Sequence, residues 1–145
     1  MKPFLVIIFL LSTTIALAQD SSVIHVYRLP KHKNGMCPTE FTLPRQDKMT
    51  LYKSSEINYT IYSEGAIFFD FKTVCPGFDA MPGYTYFAQL SLNVQHGQEY
   101  YFVIDASYRK DMAIIVKKEE YLELIEKDKN LSRLTYQESK KEPIK

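Results

Sequence analysis

From about residue 20 onward, apolar and polar residues alternate with a period of two, and the alternation marks out strands. The clearest stretch runs from Tyr84 to Val94. Tyr84, Tyr86, Ala88, Leu90, Leu92 and Val94 fall on one face, Thr85, Gln89, Ser91 and Asn93 on the other, and only Phe87 interrupts the pattern. Gln95-His96-Gly97-Gln98 supplies a turn, and Glu99 to Asp105 is apolar on both faces, as a central strand would be. These two segments read as a hairpin. Further strands are predicted from Val23 to Arg28, Thr39 to Leu43 and Lys48 to Lys53, with another around Ile57, Tyr59 and Ile61. Ser63-Glu64-Gly65 makes a turn into Ala66 to Lys72, where Ile67, Phe69 and Phe71 share a face, and Met112 to Lys117 is the last strand. The spacing of these segments, with no helical insert between them, predicts an antiparallel β-sandwich of the immunoglobulin/transthyretin-like kind.

From Lys118 the period becomes helical, with Tyr121, Leu122 and Ile125 on one side. Glu119 and Glu120 stand in the first turn, where the helix dipole favours acids, and Glu123 precedes Lys127 by four residues. Residues 131–145 are mostly polar and read as a disordered tail, which places a single domain with its C-terminal helix at residues 19–130.

The N-terminus changes the picture. Met1-Lys2, an apolar run from Phe4 to Leu11 and the small-residue exit Ala16-Leu17-Ala18 form a secretory signal peptide over residues 1–18, with cleavage before Gln19. The run is short for a membrane span and is interrupted by Ser12, Thr13 and Thr14. No cysteine follows the cleavage site to carry a lipid. The expected mature protein is exported, periplasmic or extracellular, without a transmembrane segment. The full chain has a formal net charge of +1, and removal of Lys2 with the leader would bring it to zero, which supplies no electrostatic reason to expect nucleic acid or an anionic membrane as partner. Eleven tyrosines and nine phenylalanines, with no tryptophan, lean the composition further towards a β-rich core.

Two cysteines, Cys37 and Cys75, are each followed by proline. An even pair in an oxidising compartment reads most simply as one disulfide. A metal site or a catalytic thiol would be the alternative, but no CxxC and no paired-histidine spacing accompanies either cysteine. The bridge would tie together two loops rich in turn residues, Pro30 to Pro38 and Thr73 to Gly83. The second of these is the candidate binding loop, with Phe78, Asp79 and the adjoining Tyr84 as its recognition residues.

The order of these landmarks carries a resemblance. An opening Ile24-x-Val26-Tyr27-Arg28 strand is followed by Pro82-Gly83 before a long alternating strand. Then come Gly97-Gln98-Glu99-Tyr100-Tyr101 and a last strand ending at Val116 that leads into an acidic helix. Over residues 23–126 the chain resembles the short bacterial envelope proteins of domain of unknown function 2846. The resemblance implies a small exported β-sandwich, often lipid-anchored in relatives, and no particular activity. The chain departs from the pattern by lacking the lipoprotein cysteine. It also has Tyr84-Thr85 where relatives often place a basic residue and a histidine, and a longer cysteine-bearing loop.

Motifs for catalysis and for cofactors are absent: there is no Gly-x-Ser-x-Gly elbow, no His-Glu-x-x-His helix and no phosphate-binding glycine loop. His25, His32 and His96 lack metal-ligand spacing and read as surface or edge residues. Asp70, Asp79, Asp105 and Asp111 lie at strand ends or in loops, where carboxylates commonly serve turn conformation. Tyr52, Tyr62 and Phe87 point away from the predicted core; they are covered by the helix, or else form a patch for peptide or glycan. The sequons at Asn58 and Asn130 read as chance matches beside a bacterial resemblance. The expected function is therefore a non-enzymatic binding or structural module of the envelope, recognising a protein or cell-wall component through its loops. The alternative is a secreted metal-binding protein or hydrolase with a site built from His25, His96 and nearby acids.

Overall fold

A computed structural model of the chain describes residues 20–30, 37–43, 48–77, 82–106 and 113–138. The expected signal peptide of residues 1–18 lies outside them. Among the described residues, nine strands and one helix follow in chain order: β1 (Ser22–Arg28), β2 (Thr39–Thr42), β3 (Lys48–Leu51), β4 (Ser55–Ile61), β5 (Gly65–Cys75), β6 (Tyr84–Val94), β7 (Glu99–Ile104), β8 (Ala113–Val116), α1 (Lys118–Glu126) and β9 (Ser132–Gln137). They form two sheets, one in the order β8-β7-β1-β4-β9 and one in the order β3-β2-β5-β6.

The alternation of each strand decides which sheet face it covers. Ile24 and Val26 of β1, Ile57 and Ile61 of β4, and Phe102 and Ile104 of β7 face inward from the first sheet. Phe41, Leu51, Ile67, Phe69 and Phe71 meet them from the second. Phe41 stacks on Phe71 at 4.9 Å between ring centroids, and Phe69 meets Phe102 edge-on at 5.3 Å. Each fully buried side chain of this size contributes about 1.5–3 kcal/mol, so this layer supplies most of the driving force for the sandwich-like packing.

A second, smaller core lies on the outer face of the five-stranded sheet. Tyr27, Tyr101 and Val103 are buried there beneath Tyr121 of α1, with Leu124 and Ile125 packed alongside. The stripe that docks the helix is thus Tyr121, Leu124 and Ile125, at the i, i+3, i+4 spacing of one helical face. Leu122, expected on that face, points to solvent instead.

Three sequence-based expectations are corrected. First, β6 and β7 are not a hairpin: β6 pairs with β5, whereas β7 pairs with β1 and β8. Gln95–Gln98 carries the chain from one sheet to the other. β7 is apolar on both faces and needs cover on both, which only the helix-covered sheet provides; β6, with one polar face, suits an open edge. Secondly, the sandwich is not wholly antiparallel, because β1 runs parallel to β7 and β4 parallel to β9. The path from β1 to β7 returns through strands of both sheets, whereas α1 is the crossover that carries β8 to the parallel β9 on the other edge. Thirdly, Ser132–Gln137 of the expected tail is a strand. Its six side chains are all exposed, and its alternation is limited to Leu134 and Tyr136 in an otherwise polar stretch. Backbone pairing with β4 and two anchoring side chains, Arg133 and Glu138, place it.

Candidate functional site

The predicted bridge is formed. Cys37 and Cys75 are joined by a disulfide with their Cα atoms 4.6 Å apart, and both are buried. It fastens the entry of β2 to the end of β5. The same seam is held by the Val74 amide, which donates to the Pro38 carbonyl at 3.3 Å, and by the Thr39 and Thr73 hydroxyls 2.6 Å apart. Thr73, Val74 and Cys75 belong to β5 rather than to a loop, so the connection to β6 is shorter than the sequence implied. Gly83 closes that connection. A Cβ there would stand 2.9 Å from both the Cys75 carbonyl oxygen and the Gly77 nitrogen, so only glycine fits the close approach. Of the candidate recognition residues, Tyr84 pairs through its backbone with Cys75. Phe78 and Asp79 lie outside the described residues.

Beside this seam, no helix among the described residues lies over the outer face of the four-stranded sheet. Phe87 is 74% exposed and Phe68 56%, and Val74 is exposed next to the bridge. The Lys72 ammonium lies 5.9 Å from the Phe87 ring centroid, and Gln89 Nε2 donates to Asp70 at 2.7 Å between the two aromatics. Phe87 was among the outward-facing aromatics anticipated from the sequence. Phe68 was missed, although its place between the inward Ile67 and Phe69 is a readable signal. Tyr52 is exposed too, beside the turn that precedes β4, while Tyr62 is half-buried.

The opposite outer face is closed by a hydrogen-bonded network under α1 that the sequence did not reveal. Glu56, only 4% exposed, accepts from the Tyr121 hydroxyl at 2.9 Å and from Arg133 Nε at 2.7 Å. The Tyr27 hydroxyl donates to Asp128 at 2.8 Å. Burial, reinforced by these carboxylates, pushes both tyrosine hydroxyls well above their usual range, so they stay protonated as donors. Burial opposes ionisation of Asp128, but donation from Tyr27, the Asn130 amide and Ser54 outweighs it and holds the carboxyl below its ordinary value. At the rim, Glu99 accepts from Lys118 at 2.7 Å and from the Tyr101 hydroxyl. The Lys118 ammonium, followed by Tyr101, holds the Glu99 carboxyl below the usual carboxylate range, and Glu99 in turn raises Lys118. An open groove of about 570 Å³ runs past this pair, between Gly97 and Lys117. Chemically the network clamps α1 and β9 onto the sheet.

The histidines go to separate places. His25 stacks on Tyr101 with ring centroids 4.7 Å apart, and its Nδ1 lies 2.6 Å from Asn58 Oδ1. His96 sits in the β6–β7 turn against Glu64 and the Tyr62 carbonyl. Among the described residues no three His, Cys, Asp or Glu side chains gather as a metal site. Asp70 lies on the exposed sheet face and Asp105 just after β7; His32, Asp79 and Asp111 fall outside the described residues. Asn58, a sequon residue, is engaged by His25, while the backbone N–H of Asn130 donates to Asp128 Oδ1 at 3.0 Å. Arg28, 3% exposed, donates to the Leu51 carbonyl at 2.8 Å, and its burial lowers the guanidinium pKa. No helix among the described residues is long and apolar enough to cross a membrane.

No protein-family model, no curated protein and no solved structure matches this chain.

Proposed function

We propose that the chain is an exported, non-catalytic binding module of the bacterial envelope that recognises a protein or cell-wall component. One observation carries the reading. The outer face of the four-stranded sheet keeps Phe68 and Phe87 in solvent, whereas the corresponding face of the other sheet is covered by α1. Large aromatics left exposed on a rigid sheet are suited to recognition. Between them, Asp70, Gln89 and Lys72 offer polar groups that would orient a ligand. The disulfide supports an oxidising location, and it stiffens the end of the sheet from which this face extends. The resemblance to envelope proteins of domain of unknown function 2846 is part of the same reading, as is an immunoglobulin/transthyretin-like kinship of the two sheets.

The test is capture by the immobilised chain, set against the variant Phe68→Ser/Phe87→Ser. The baits are detergent-solubilised envelope proteins and, separately, purified cell-wall sacculi. Retention of one discrete protein, or saturable co-sedimentation with sacculi, is expected for the wild type and lost in the variant at unchanged melting temperature. Retention that survives in the variant, or no retention by the wild type, would overturn the assignment of this face.

A further inference from the structure

We infer that β6 is a self-association edge, through which two copies join their four-stranded sheets into one eight-stranded sheet. This goes beyond the recognition face proposed above, because it uses the strand's backbone edge rather than the aromatics.

Among the described residues, β6 is the last strand of its sheet and pairs only with β5. It is 11 residues long and contains no charged residue, no proline and no glycine. Exposed edges are normally guarded by one of these devices or by shortness, since an unpaired row of N–H and C=O groups is a template for another strand. β8 of the other sheet comes close to β6 without pairing with it.

The geometry defines which groups are open. The Tyr100 hydroxyl, in the other sheet, accepts from the Gln95 amide at 2.9 Å and donates to the Asn93 carbonyl at 3.3 Å. Those backbone groups therefore face away from β5, and Tyr100 closes that end of the edge. In an antiparallel ladder the direction alternates residue by residue, so Thr85, Phe87, Gln89 and Ser91 also turn their backbone groups outward. A two-fold axis that pairs these four among themselves passes through Ala88. It sets Thr85 opposite Ser91 of a second copy and Phe87 opposite Gln89, each as a hydrogen-bonded pair. On the inner face Ala88 meets its own counterpart, a contact small enough for close approach. Leu90 and Leu92, packed on the core yet only half-buried, gain cover.

The occupant is a second copy because the edge is electrically self-compatible. An uncharged strand meets itself with no like-charge pair across the ladder, and it arrives already extended at the matching length. A flexible peptide of the same length would first have to lose its conformational freedom.

Sedimentation equilibrium of the purified chain tests this with charges at exposed positions. The wild type is expected to dimerise. Thr85→Lys/Ser91→Lys places lysine opposite lysine twice and should yield a monomer with unchanged melting temperature. Thr85→Glu/Ser91→Lys places glutamate opposite lysine and should restore the dimer. A wild type that stays monomeric at millimolar concentration overturns the inference and leaves the edge to a strand from another protein. A double-lysine variant as dimeric as the wild type overturns it as well.

Discussion

The Tyr121 hydroxyl donates to the Glu56 carboxylate at 2.9 Å, joining α1 to β4 of the sheet beneath it. Glu56 is also the residue that Arg133 grips from β9, so a single buried carboxylate holds two C-terminal elements in place. Removing the hydroxyl should therefore cost more than its surface area implies. Tyr121→Phe is expected to destabilise the fold by about 1.5–3 kcal/mol, the range for a hydrogen bond to a charged group. Urea denaturation checks it, and a midpoint equal to wild type would mean that Arg133 alone satisfies the carboxylate.

The tyrosines also set the behaviour in alkali. Tyr27 and Tyr121 have raised folded-state pKa values, chiefly through burial, so the neutral forms favour the native state. Their contribution is fully present below the unfolded value near pH 10 and is lost as pH rises through the folded values. Stability should fall above about pH 10. Fewer phenolates should be counted by absorbance in the folded protein than in denaturant at the same pH. The variant Tyr27→Phe should weaken that alkaline loss. Glu99 and Asp128 have the opposite sign: their depressed values add stability above the ordinary carboxylate range, lost as pH falls through the folded values.

The bridge should be complete in exported protein. Alkylation without reductant, read by mass spectrometry, is expected to label neither Cys37 nor Cys75. Cys37→Ser/Cys75→Ser should lose about 2–4 kcal/mol, because a bond spanning 38 residues restricts the unfolded chain. Two labelled thiols would contradict the pairing.

Two glycines are required for different reasons, and substitution separates them. Gly97 has φ +76° with open space where a Cβ would project, so only the backbone objects. Gly97→Val should cost about 1–3 kcal/mol and Gly97→Asn clearly less, since asparagine tolerates that region. Gly83 is limited by contact instead, and even Gly83→Ala should lower the melting temperature by several degrees. Equal costs for valine and asparagine at Gly97 would remove the backbone explanation.

Much of this architecture was written in local pattern. The strands around Ile24, Ile57, Phe69 and Leu90 follow from period-two alternation, because a residue's side in a strand depends only on its parity. The Cys37–Cys75 pairing was legible because these are the chain's two cysteines and neither has metal-ligand spacing beside it. Gly97's role in a turn was legible too. What alternation does not encode is which strand lies beside which. A four-residue turn after Val94 serves a hairpin or a change of sheet equally well. The choice was made by the need of β7 for cover on both faces, met beside β1 and under Tyr121. The burial of Glu56 had no local signal, since a carboxylate becomes tolerable in an interior only when distant donors converge on it, here Tyr121 and Arg133. β9 escaped for the complementary reason: none of its side chains enters a core, and its place is determined by backbone pairing with β4 and by Glu138 reaching the amides of Tyr62 and Ser63. The sequence by itself determined the strands from β1 to β8, the bridge and the helix. Tertiary structure alone decided sheet membership, the network under α1 and the open face bearing Phe68 and Phe87, because those depend on contacts between residues far apart in the chain.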